Sequence, residues 1–167
     1  KYPHLVYVAA DRGAGDENEG NGNMRILDLK NQYVGTALTE GDMGGTNRGR
    51  ALAFFDENHM AVAVDQGDEL RAAVYGFTRN REAPEGDERN YKMWGNRLAL
   101  VNFKACNTVT FHPVDGDMYF NSWDKGQFFK VEKQQIQEIF DGTRTTPARL
   151  PGRYPKTSTR TWPKAIL

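Results

Sequence analysis

Three strand-like runs in this 167-residue chain end in the same tripeptide: "VYVAADRG" (6–13), "VAVDQG" (62–67) and "YFNSWDKG" (119–126). Their Asp-x-Gly aspartates, Asp11, Asp65 and Asp124, lie 54 and then 59 positions apart. Asp-x-Gly suits a tight reversal, because Asp caps the turn with its side chain and Gly accepts positive φ. A second alternating run follows each turn: "MRILDL" (24–29), "AAVYGF" (72–77) and "FFKVEK" (128–133). A further one precedes it in two copies, "RALAFFDENH" (50–59) and "NTVTFHPVDG" (107–116), where Leu52 matches Val109 and Phe54 matches Phe111. "QYVGTAL" (32–38), "RLALVNF" (97–103) and "QQIQEIF" (134–140) are expected as closing fourth strands.

Units of four short antiparallel strands repeating at this spacing are the layout of β-propeller blades, so the expected fold is all-β, with about three four-stranded blades. The second strand reads nearly apolar on both faces in the first two copies, as a sheet sandwiched between two others requires. A β-sandwich is the competing architecture, but it does not account for the recurring Asp-x-Gly. The blades are expected over 1–142 (1–40, 47–103 and 106–142), with 143–167 as a connection rich in Pro, Thr and Arg leading into a further blade. Three blades do not close a ring. The chain is therefore expected to be part of a larger ring, either continued by further blades, the favoured alternative, or completed by a second copy.

The 22 basic residues are balanced by 22 acidic ones, which gives the chain as a whole no electrostatic reason to bind nucleic acid or an acidic membrane. A lone Cys106 excludes an internal disulfide and any multi-cysteine zinc site. No run of about 18 apolar residues suggests a spanning helix.

The polar run "AGDENEGN" (14–21) aligns as an insertion in the turn of the first unit. Its Asp16, Asn18 and Gly20 have part of a calcium-loop spacing but lack the later bidentate Glu, so it reads as a decorated loop. His59 and His112 fall near the first turns of different units and could converge on a channel metal, yet no carboxylate cluster stands beside them. No metal and no cofactor are therefore expected. There is no Gly-x-Ser-x-Gly nucleophile motif, and Asp56-Glu57 and Asp68-Glu69 read as solvated turn residues, so no catalytic residues are assigned. Aromatic rings at loop ends can stack on sugar faces or anchor peptides. Trp123, directly before the third Asp-x-Gly, and Trp94, in the excursion 81–96, are candidates. "GGTNRGR" (44–50) adds the donors Asn47 and Arg50. The expected ligand site is thus Trp123, Trp94, Asn47 and Arg50. The tail from 143 onward carries six basic residues and no acidic one, and reads as a solvated or partner-docking connection.

Asp11-Arg12-Gly13 followed by Asn23-Met24-Arg25-Ile26 resembles the NHL repeat of six-bladed propellers. "CNTVTFHPVDGDMYFNSWDKGQFFKV" (106–131) is similar to the NHL-type propeller lipoproteins of Bacteroidetes, in which the propeller often follows an IPT/TIG domain. The resemblance spans roughly residues 5 to 140; the second unit departs from it at Asp68-Glu69-Leu70-Arg71. It implies a non-enzymatic surface lipoprotein on the extracellular face of an outer membrane, accessory to the uptake of glycans or peptides. The implied partners are a glycan or peptide ligand and the proteins of an importer complex, with membrane contact only through a lipid anchor outside this segment. The alternatives are a propeller lyase or hydrolase with a channel metal, and a structural subunit of a larger complex.

Overall fold

The computed structural model describes residues 3–9, 23–39, 41–43, 48–65, 74–79, 94–103, 106–122 and 127–150. They form three antiparallel sheets and one helix. β1 (Leu5–Ala9), β2 (Met24–Asp28) and β3 (Tyr33–Leu38) make the first sheet in that order. The second is β4 (Arg48–Asp56), β5 (His59–Asp65), β6 (Val74–Arg79) and β7 (Trp94–Val101). The third is β8 (Cys106–Phe111), β9 (Met118–Ser122) and β10 (Gln127–Val131). Each sheet is an up-and-down meander stacked face to face with its neighbour, so the fold is all-β with propeller-like blades.

β5 shows why the sheets stack. Met60 through Val64 are all fully buried, and successive side chains leave on opposite faces. Met60, Val62 and Val64 pack with Met24 and Ile26 of the first sheet. Ala61 and Ala63 pack with Cys106, Val109, Met118 and Phe120 of the third. A strand with two cores beside it has no polar face, which is what its sequence shows. Matched positions face the same way, since Leu52 packs toward the sheet before its own and so does Val109. From Met60 to Asp65 is five positions, but from Met118 to Asp124 is six, so the third copy carries one extra residue before its Asp-x-Gly.

Among the described residues the first sheet is covered on one side only. Leu5, Tyr7, Ala9, Met24 and Ile26 face the second sheet. The paired positions Val6, Leu27 and Val34 share the opposite face with Val8. There Val6 and Val8 are each 41% exposed and Val34 is 62% exposed. Turn chemistry fixes the hairpins. Buried Asp28 accepts hydrogen bonds from the Lys30 and Asn31 amides (3.0 and 2.9 Å), and Gln32 closes the β2–β3 turn at φ 53°. Between sheets, Thr39 and Asp42 bond reciprocally and place Met43 in the core.

One expected strand is a helix. Residues 134–140 form α1 (Lys133–Phe140) rather than the fourth strand of the third unit. Ile136, Ile139 and Phe140 recur at the i, i+3, i+4 spacing of a helix, among Gln and Glu residues that favour it. Ile136 and Ile139 are buried in the core between the second and third sheets. Phe140 lies over Gly76 of β6, where a side chain could not fit: a Cβ there would stand 2.8 Å from Phe140 Cε1 and 2.9 Å from Leu100 Cδ2. The helix has no cap from its own N-cap residue, Glu132. Asp117, at the end of the β8–β9 turn, supplies one by accepting the Lys133 amide at 2.8 Å. Beyond the helix, the Ala148 amide bonds to the Leu100 carbonyl of β7 at 2.8 Å.

Candidate ligand-binding site

The four expected site residues do not form one constellation among the described residues. Trp123 and Asn47 lie outside those residues, as do the 14–21 run, the Asp-x-Gly glycines, residues 81–93 and the tail beyond 150. Arg50 is half-buried on β4, at the point where the pairing with β5 skips a residue, a bulge that re-aims its side chain. Trp94 opens β7 rather than ending a loop, and pairs with Arg79 of β6 at the opposite end of the sheet. Six residues of β4 separate Arg50 from that end, roughly 20 Å of strand.

Trp94 is only 6% exposed, so its face is packed rather than presented. It anchors a cluster where the edge strands β1 and β4 of the first two sheets meet. The Trp94 indole N–H donates to the Tyr7 hydroxyl at 3.3 Å, and Arg79 Nη2 donates to the same oxygen at 3.3 Å. The Arg79 guanidinium also lies 5.1 Å from the centre of the Trp94 ring, a cation–π contact. Phe54 meets Tyr7 edge-on (5.1 Å, 75°) and leans on Trp94 (5.8 Å). Phe54 is 41% exposed, although it is a large aromatic ring whose strand neighbours Leu52, Ala53 and Phe55 pack against the cores.

Tyr7, Phe54 and Arg79 were not expected from the sequence. The available signal was the pair Phe54-Phe55 on one strand, since adjacent residues point to opposite faces. Phe55 takes the other side, against Phe111 (5.3 Å) and Phe140 (5.6 Å). His59 joins that side with its ring 4.4 Å from Phe140, its Nδ1 held by Asp56 at 2.8 Å. His112 pairs with Asp115 at 3.0 Å in the corresponding turn of the third sheet. Each histidine is thus tied to an aspartate of its own hairpin. Among the described residues no three His, Cys, Asp or Glu side chains are placed to share a metal ion.

Two further groups bear on chemistry. The Cys106 thiol is buried and pushed up to about 12 by desolvation, which leaves it protonated and a poor nucleophile. The Asp117 carboxyl is held below its ordinary value, first by its hydrogen bond with the Lys130 ammonium and then by the Lys133 amide. Lys130 is raised in turn by Asp117. Both shifts follow from a structural pair rather than from a reactive site.

No protein-family model and no curated protein matches this sequence. Among solved structures, 86% of the chain superposes on a candidate phosphatase from Bacteroides thetaiotaomicron, with TM-score 0.63 and 26% identity. It superposes over 86% on an auxiliary nutrient binding protein of the same species (TM-score 0.56, 24% identity). Over 77% it superposes on an auxiliary nutrient binding protein of Bacteroides ovatus (TM-score 0.54, 22% identity). The chain spans 30%, 27% and 25% of the lengths of these three proteins. What it shares with the two nutrient binding proteins is therefore the fold of about a quarter of each.

Proposed function

We propose that this chain is a non-enzymatic recognition module, three blades of an NHL-like six-bladed propeller within a longer surface lipoprotein that assists outer-membrane uptake of glycans or peptides. The observation that carries this role is the Phe54–Tyr7 site, a half-exposed ring packed against Tyr7, whose hydroxyl is held by buried Trp94 and half-buried Arg79. Binding surfaces commonly combine such a rigid apolar platform with a few placed polar groups. The names of the two nutrient binding proteins agree with that role. The bare face of the first sheet, with Val6, Val8 and Val34, agrees with a neighbouring blade packed over it. Among the described residues no helix is long and apolar enough to cross a membrane, and attachment is assigned to a lipid outside this segment.

The test is binding without turnover. The chain is titrated calorimetrically with neutral oligosaccharides (maltoheptaose, cellohexaose, xylohexaose, mannohexaose) and with tryptic peptides of casein, and each mixture is then analysed for products. Recognition predicts saturable binding of one of these sets with the ligand recovered intact. Cleavage of a bound ligand, or hydrolysis of p-nitrophenyl phosphate by the pure chain, would overturn the non-enzymatic role. Failure to bind either set would overturn recognition.

A further inference from the structure

We infer that the Phe54–Tyr7 site takes a neutral pyranose, seated with its C–H face on the Phe54 ring and an oxygen accepting the Tyr7 proton. This assignment rests on the recognition role proposed above and narrows it to one ligand class. A phenolic oxygen has one proton to donate and two positions at which to accept. In Tyr7 both accepting positions are taken, by the Trp94 indole N–H and by Arg79 Nη2. The hydroxyl must therefore direct its own proton away from both, and no hydroxyl, carbonyl or carboxylate among the described residues accepts it.

The two donors also make that proton a stronger one. Accepting hydrogen bonds draws electron density from the phenolic oxygen, most of all when one donor is a cation, and this polarises the remaining O–H. The site thus offers a directed, strengthened donor. Its ligand must present an acceptor.

The second requirement comes from Phe54. Its ring centre lies 5.1 Å from that of Tyr7, and the ring is 41% exposed, so an open apolar surface stands next to the Tyr7 side chain. A ligand must offer a flat apolar surface and an acceptor oxygen a few ångströms apart on one rigid body. A pyranose does so, with axial C–H groups on one face and hydroxyl or ring oxygens at its rim. A peptide could offer the same pair only by ordering a flexible side chain relative to a carbonyl, which costs conformational entropy. An anionic sugar gains little here, since the Arg79 charge is already engaged with the Trp94 face and the Tyr7 oxygen.

Calorimetric titration of the chain and its variants with the same four oligosaccharides and casein peptides is the test. We expect one oligosaccharide to bind, Phe54→Ala to weaken it about tenfold or more, and Phe54→Leu, which keeps apolar bulk without a flat face, to weaken it nearly as much. Tyr7→Phe should weaken binding several-fold. Because it also leaves the Trp94 and Arg79 donors without their acceptor, each variant's unfolding midpoint is measured alongside. An oligosaccharide that binds with unchanged affinity to folded Phe54→Ala and Phe54→Leu would overturn this site while leaving the recognition role standing. Casein peptides whose binding is lost in Phe54→Ala would overturn the sugar assignment. Absence of binding to both probe sets would overturn the recognition role as well.

Discussion

Removing the Asp117 side chain tests whether α1 is held from outside itself. Asp117 Oδ1 accepts the Lys133 amide at 2.8 Å, at the first turn of a helix whose own N-cap residue offers no side-chain bond. Loss of such a cap costs about 0.5–2 kcal/mol. The other carboxylate oxygen pairs with Lys130, whose side chain is 40% exposed, and solvent screens a pair of that kind so that the cap dominates. Asp117→Ala should therefore destabilise the chain by about 0.5–2 kcal/mol at neutral pH. Asp117→Asn keeps an oxygen for the amide, loses the charge, and should cost less than half as much. Acid provides a second axis. The folded carboxyl titrates below its ordinary value, so its contribution is complete above the unfolded value of about 3.9 and disappears as pH falls through the folded value. Urea unfolding followed by tryptophan fluorescence measures both effects. Equal midpoints for wild type and Asp117→Ala at neutral pH would refute the external cap. A deficit that persists undiminished in strong acid would refute the ionised carboxylate as its source.

Gly76→Ala puts a Cβ within 2.8 Å of Phe140 and 2.9 Å of Leu100. It should lower stability by about 1–3 kcal/mol, and pairing it with Phe140→Leu should restore part of the loss in the same unfolding experiment. With its thiol raised to about 12, Cys106 carries only roughly one thiolate in ten thousand at pH 8. Thiol-specific reagents should leave it unmodified in the native chain and label it fully in denaturant. Rapid native labelling would mean that the core between the second and third sheets opens easily.

The repeat and the two-faced burial of β5 were legible in the sequence because both reduce to residue spacing and polarity. Leu52 and Val109 stand at matching positions of the repeat, and both face the preceding sheet. The α1 segment was misread because its place in the repeat outweighed its own periodicity; Ile136, Ile139 and Phe140 carried the helical spacing throughout. Trp94 illustrates a deeper limit. Its place in the sequence suggests a loop-end platform, yet the exposed ring of its cluster is Phe54, forty positions earlier, and the link between them runs through Tyr7. Which aromatic faces solvent depends on how β1 meets β4 across two sheets, and no local pattern encodes that meeting. Arg79 was invisible for the same reason, being one arginine among many until Trp94 and Tyr7 came within its reach.

α1 leaves the third sheet after β10 and docks on the second, with Phe140 over Gly76 and the chain beyond it bonded through Ala148 to Leu100. The two sheets are thereby buckled together: neither can swing away without undoing the helix. Among the described residues the first sheet shares only one interface and carries no such strap. Amide hydrogen exchange should follow this asymmetry, with β5 and β9 among the last amides to exchange and β1 to β3 opening earlier as a unit. The order of opening along this molecule is then set by a helix of eight residues standing where a strand was due.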